Sequence, residues 1–170
     1  ELKPLLSGGG QEAGLRSGTE SVVLAAGMAA ALAQIERCDP DQLAVAGNGI
    51  AELRNALRDR LLTDERLVVC GDPDQRLPHH LSLLVSDHNG QPVSGRQLVR
   101  SLDAQGLAVS SGSACSSGKD SDSSVLTAMG LPQTMRRSGV RLSLGPWISA
   151  GDLDGITERF FHGLEVENNS

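Results

Sequence analysis

Cys115 stands among small residues, in Ser110-Ser111-Gly112-Ser113-Ala114-Cys115-Ser116-Ser117-Gly118, directly after the apolar run Gly106-Leu107-Ala108-Val109. A cysteine kept for packing normally has apolar neighbours, because a free thiol behaves as a small hydrophobe. Glycine and serine neighbours instead give the backbone freedom and supply weak donors, which describes an exposed thiol on a tether. Lys119 follows in the same segment. A cation there would lower the thiol pKa from its free value of about 8.5 and enlarge the nucleophilic thiolate fraction. Taken alone, the segment fits a surface loop with an incidental cysteine equally well.

A second candidate is Arg141. In Val140-Arg141-Leu142-Ser143-Leu144-Gly145 the period of two sends Arg141 and Ser143 to one face of a strand and the aliphatic residues to the other. An arginine flanked by core residues is held rigidly, and its planar fork suits bidentate capture of a carboxylate. An ordinary salt bridge within the sheet explains the same pattern, and the strand by itself favours it. A third stretch, Gly8 to Thr19, is glycine-rich and precedes a helix, where free backbone N–H groups attract anions. It lacks both the G-K-[ST] ending and the dinucleotide spacing, so an irregular connector accounts for it as readily.

The remaining cysteines and the histidines suggest no metal. Cys38, Cys70 and Cys115 are three, widely spaced and without a C-x-x-C pair, which supports neither a disulfide framework nor zinc. Cys70 closes the run Leu67-Val68-Val69 and reads as a buried strand residue, whereas Cys38 precedes Asp39-Pro40 at a helix end. His79 and His80 are neighbours, and neighbours in a strand face opposite ways, so they would not chelate one ion together.

The elements that must position these residues alternate between helix and strand, an α/β or α+β pattern. The chain has 170 residues, 39% of them hydrophobic, and a net charge of -6, as expected of one soluble globular unit or part of one. Aromatic residues make up only 2%, so aliphatic side chains must form the core and no stacking platform for single-stranded nucleic acid is available. The acidic balance argues further against nucleic acid or an anionic membrane as partner. The longest apolar run, Val22 to Ala33, is shorter than the ~20 residues that cross a bilayer. With no basic segment and apolar run of the secretory kind at its start, the chain is expected in the cytoplasm.

The first helix is expected from Thr19-Glu20 to about Arg37, and a second, capped by Asp41 and weakened by Gly47 and Gly49, to about Leu62. Strands are expected at Leu67 to Cys70, Leu81 to Val85, Leu107 to Val109 and Gly139 to Leu144. Helices are expected from Gly95 to Gln105, stopped by Gly106, around Ser123 to Met129, stopped by Gly130, and from about Ala150 to Leu164.

Together these stretches resemble the pyridoxal-phosphate-dependent cysteine desulfurases of the class V aminotransferase group. The matching blocks are GGGQEAGLRSGT at 8–19, RLPHHLSLLV at 76–85, GLAVSSGSACSSG at 106–118, SSVLTAMGL at 123–131 and GVRLSLG at 139–145. The resemblance implies a fold-type-I architecture, with residues 1–20 ending the large cofactor-binding domain. Residues 21–170 would form the small C-terminal domain, a short sheet packed by helices that carries the cysteine loop at 110–122. It implies that Cys115 takes sulfur from L-cysteine as a persulfide, leaving L-alanine. Arg141 would hold the substrate carboxylate, and Thr19 would reach the cofactor phosphate of the neighbouring subunit in a homodimer. The persulfide would pass to a sulfur-acceptor or scaffold protein for iron-sulfur cluster assembly or thiolation, where Cys115 could also be a shared cluster ligand.

The family's cofactor lysine has no match here, since the chain's lysines are Lys3 and Lys119; the fragment is therefore expected to be inactive alone. Two stretches depart from the family pattern. Asp122-Ser123-Ser124 replaces a proline-containing segment, and Gly145-Pro146-Trp147 replaces a basic residue after the strand. A class V enzyme of another reaction, such as a cystine or selenocysteine lyase or an aminotransferase, and a non-enzymatic sulfur-carrier or scaffold-binding domain are the alternatives.

Overall fold

The computed structural model describes residues 2–36, 40–112 and 122–168. Cys38, Cys115 and Lys119 lie outside the described residues. The chain divides into two compact units, Glu1–Leu43 and Ala44–Ser170.

In the N-terminal unit the glycine-rich stretch forms a short 3-10 turn at Glu12–Gly14. Its backbone is left-handed at Gly10, Glu12, Ala13 and Gly14, with φ of 79°, 52°, 55° and 80°. The two glycines adopt that region freely, whereas Glu12 and Ala13 are held there against their side chains. The Gly14 amide donates to the Gly10 and Gln11 carbonyls at 3.1 Å each, and the Gly18 amide donates to the Gln11 side-chain oxygen at 3.1 Å. Helix α1 (Val22–Glu36) follows. The Ser21 hydroxyl accepts from the Leu24 amide at 3.4 Å at its start.

Helix α2 (Pro40–Leu61) begins one residue before the expected cap, so Asp41 lies inside it. Proline suits the first helical position because its fixed φ is already helical and its missing N–H would find no partner there. Gly47 and Gly49 weaken the propensity without interrupting the helix.

In the C-terminal unit, strands β1 (Leu67–Val69), β2 (His80–Val85), β3 (Ser110–Ser111) and β4 (Gly139–Ser143) form one antiparallel sheet of order β1-β2-β4-β3. Alternation gives it two unequal faces. Leu81, Leu83, Val85, Val140 and Leu142 enter the main core with Leu57 and Leu61 of α2, Leu98 and Leu102 of α3 (Gly95–Ala104), and Leu153, Phe160 and Leu164 of α5 (Leu153–Asn168). The opposite face carries a small cluster of Leu84, Cys70 and Leu126, the last on α4 (Ser124–Ala128). The expected α/β class, a short sheet packed by helices, is the one observed.

One expected strand moves. Residues 107–109 are irregular, and pairing with β4 begins only at Ser110. The cause is the end of α3, where Gly106 at φ 77° closes a Schellman motif. The Gly106 amide donates to the Asp103 carbonyl and the Leu107 amide to that of Leu102, both at 2.9 Å. Leu107 thereby spends its amide on the helix. Gly130 ends α4 in the same way, its amide donating to Thr127 and that of Leu131 to Leu126.

Candidate functional site

The sheet register assembles the site. Arg141 pairs with Ser82 on one side and Ser110 on the other, and His80 pairs with Ser143. Directly opposed residues of antiparallel strands point the same way, so Ser82, Arg141 and Ser110 form a row on the face turned away from the main core. Arg141 is exposed there, as its alternation with Val140 and Leu142 requires.

Beside that row lies an open cleft of about 360 Å³ whose walls include Arg76, Arg141, His80, Ser82, Cys70 and Ser123. Its balance is cationic. Among the described residues no carboxylate lies within ion-pair distance of Arg76 or Arg141. Asp72 also lines the cleft, but one of its carboxylate oxygens accepts the Asp74 and Gln75 amides at 2.8 Å each, which holds it within its own turn. Arg76 donates from Nε to the Asp72 carbonyl at 2.8 Å and from Nη2 to the Cys70 carbonyl at 3.2 Å. Burial pulls the His80 imidazole below its ordinary pKa, and the nearby charges of Arg76 and Arg141 pull it down further. The imidazole lies on the same cleft wall as both guanidiniums, and in its neutral form it donates from one ring nitrogen and accepts at the other.

Cys70 is buried on the cleft wall, close to its sequence reading. Burial pushes its thiol pKa up, opposed by a bond to the Ser82 side chain and by the Arg76 charge. A buried thiol with a raised pKa is a poor nucleophile.

Ser123 pins both ends of the segment that carries Cys115. Its hydroxyl accepts from the Leu126 amide at 3.3 Å, capping α4, and donates to the Gly112 carbonyl at 3.2 Å. The Gly112 amide in turn donates to the Gly139 carbonyl at 2.9 Å. One buried serine thus joins Gly112, just after β3, to the first turn of α4. Thr19, the third residue singled out by sequence, is exposed just ahead of α1 in the N-terminal unit.

The sequence reading missed Arg76 and His80 as cleft residues. The alternation His80, Ser82, Leu84 against Leu81, Leu83, Val85 carried a signal for His80, because it puts the imidazole on the Arg141 side once the two strands are paired. The cleft's cations suit an anion. Among the described residues its lining contains no lysine that could anchor an aldehyde cofactor, so such an anchor has to come from outside this set of residues. Among the described residues no cluster of three metal-ligating side chains occurs.

A family model, aminotransferase class-V, matches residues 2–156. The chain belongs to that family. Similar curated class V relatives are cysteine desulfurase 2 of Trichormus variabilis, 35% identical over 92% of this chain and 37% of its own length, and the cysteine desulfurase IscS of Methylococcus capsulatus, 36% identical over 90% of this chain and 35% of its own length. Among solved structures, a NifS-like protein from Rickettsia africae superposes with a TM-score of 0.70 at 26% identity, over 97% of this chain and 41% of that one. The chain therefore spans little more than a third of the curated relatives it matches. Its architecture is that of the fold-type-I pyridoxal-phosphate-dependent transferases, as the sequence blocks implied. No described helix is long and apolar enough to cross a membrane.

Proposed function

We propose that this chain is the C-terminal part of a cysteine desulfurase that takes sulfur from L-cysteine, releases L-alanine and carries the sulfur as a persulfide on Cys115 to an acceptor protein. On this reading residues 1–20 close the large cofactor-binding domain and residues 21–170 form the small domain. The observation that carries the proposal is the register of Ser110 opposite Arg141. It starts the cysteine segment beside a guanidinium on the wall of a cationic cleft, with no carboxylate of the described residues within ion-pair distance of it.

Arg141 holds the substrate carboxylate through its planar fork, which orients the amino acid. In the full-length protein a lysine outside this chain would anchor pyridoxal phosphate and Thr19 of a partner subunit would reach its phosphate; the group would supply the electron sink that weakens the Cβ to sulfur bond. The Cys115 thiolate attacks the substrate sulfur, so the new S–S bond forms as the C–S bond breaks and the carbon retains the electron pair that becomes a C–H bond of alanine. Because the sulfur must then be handed on, the nucleophile has to serve both pocket and acceptor, a task suited to a glycine- and serine-rich tether.

The test is alanine production from L-cysteine by the full-length protein, wild type against Arg141→Ala. The reading predicts a large rise in KM for cysteine in the variant. Unchanged KM and kcat would remove Arg141 from the substrate site, and absence of alanine from the wild type would remove the reaction itself.

A further inference from the structure

We propose that Arg76 is a second anchor for the substrate carboxylate, sharing it with Arg141. This rests on the desulfurase reading only in taking an amino acid as the ligand of the cleft.

Arg76 lines the same cleft as Arg141, and both guanidiniums act on the His80 ring that lies on its wall. Two of its nitrogens are fixed by backbone carbonyls, Nε by Asp72 and Nη2 by Cys70. The third, Nη1, is buried and has no hydrogen-bond partner. Buried donors are almost always paired, and a donor left unpaired costs the full desolvation of the group. The two carbonyl bonds hold the guanidinium plane in place on a residue of the cleft wall, which leaves Nη1 as its one donor nitrogen without an acceptor. No carboxylate of the described residues provides one. A ligand carboxylate drawn in by Arg141 supplies it, and a guanidinium matches such a group better than a lysine would.

The arrangement also accounts for the position of Arg76 ahead of β2. The turn at 71–76 returns the chain to the cleft wall, where the Arg76 side chain ties the Cys70 end of that turn to the Asp72 carbonyl.

The experiment is calorimetric titration of the full-length protein with L-alanine, the product amino acid, and with ethylamine, the same molecule without its carboxylate. Wild type, Arg141→Ala, Arg76→Ala and Arg76→Lys are compared. Arg76→Ala should bind L-alanine about tenfold more weakly, the worth of one charge-assisted hydrogen bond, while its ethylamine affinity stays within about twofold of wild type. Should Arg76→Ala fail to fold, Arg76→Lys carries the test: it keeps the charge, loses the fork, and should weaken L-alanine alone. Equal weakening of both ligands would make Arg76 merely structural and overturn the inference. Weakening of L-alanine by Arg141→Ala without any effect of the Arg76 variants would also overturn it, while leaving the desulfurase reading intact. A wild-type protein that binds L-alanine no better than ethylamine would overturn both.

Discussion

Replacing Gly95 with alanine tests how closely α3 is seated on the strand that carries Arg141. Gly95 is the first residue of α3, capped by Ser94, and is buried. A Cβ there would collide with the Gly139 carbonyl oxygen and lie 3.1 Å from both the Arg137 carbonyl oxygen and the Gly139 carbonyl carbon. All three are backbone atoms, so no side-chain rotation relieves the contact. Neither partner is free to retreat: the Val93 amide donates to the Val85 carbonyl at 2.9 Å, and the Gly139 carbonyl accepts from Gly112 at 2.9 Å. Overpacking of this kind costs about 1–3 kcal/mol. The lower backbone entropy of the unfolded alanine variant offsets about 0.4–1 kcal/mol. A net loss of about 1–2 kcal/mol follows, which for a chain of this length lowers Tm by roughly 2–8 °C.

Urea unfolding followed by far-UV circular dichroism would show it as a lower midpoint with an unchanged slope. Gly49→Ala is the control. Gly49 lies inside α2 with nothing within 4 Å of an added Cβ, so alanine should stabilise by about 0.5–1 kcal/mol. A Gly95→Ala protein as stable as wild type would refute the close approach of α3 to β4.

Three further outcomes follow from the site. His80, its pKa depressed by burial and then by Arg76 and Arg141, should titrate by NMR below its ordinary 6.5, and its midpoint should rise in Arg141→Ala. Since the unfolded chain takes up that proton first, His80 should make stability fall as pH drops from about 6.5 toward the lower folded-state midpoint; an undisplaced midpoint would contradict this. Ser123→Ala should cost about 1–2 kcal/mol by removing the α4 cap and the partner of the Gly112 carbonyl, with faster hydrogen exchange at the Leu126 amide as its local signature. Cys70, buried and raised in pKa, should react with a thiol reagent at pH 7 far more slowly than Cys115; equal rates would contradict its placement.

The period of two around Arg141 made one half of the site legible, because strand alternation is local and the aliphatic residues on either side fix which face the arginine takes. The end of α3 was legible from Gly106 for the same reason, but its consequence was not. That the cap uses the Leu107 amide and delays pairing to Ser110 depends on hydrogen bonds that a run of apolar residues does not reveal. Arg76 was hidden for a different reason. Its role depends on a turn that brings residues 70–76 back to a cleft made mostly of later segments, and nothing in Arg76-Leu77-Pro78 says which carbonyls will hold the guanidinium. The sequence placed Ser123 at the start of a short helix, while its cap on Leu126 and its bond to Gly112 join positions whose meeting only the fold determines. The resemblance in five blocks reached further than these local signals, because it carried the fold class along with the residues.

The central claim is that Cys115 receives the sulfur. The most direct measurement is peptide mass spectrometry of the full-length protein after a single turnover with L-cysteine labelled at sulfur, with alkylation to trap persulfides. The account predicts the label on the peptide containing Cys115, and loss of both label and alanine production in Cys115→Ala. Alanine production undiminished in that variant, or label on Cys38 or Cys70 in the wild type with none on Cys115, would contradict it.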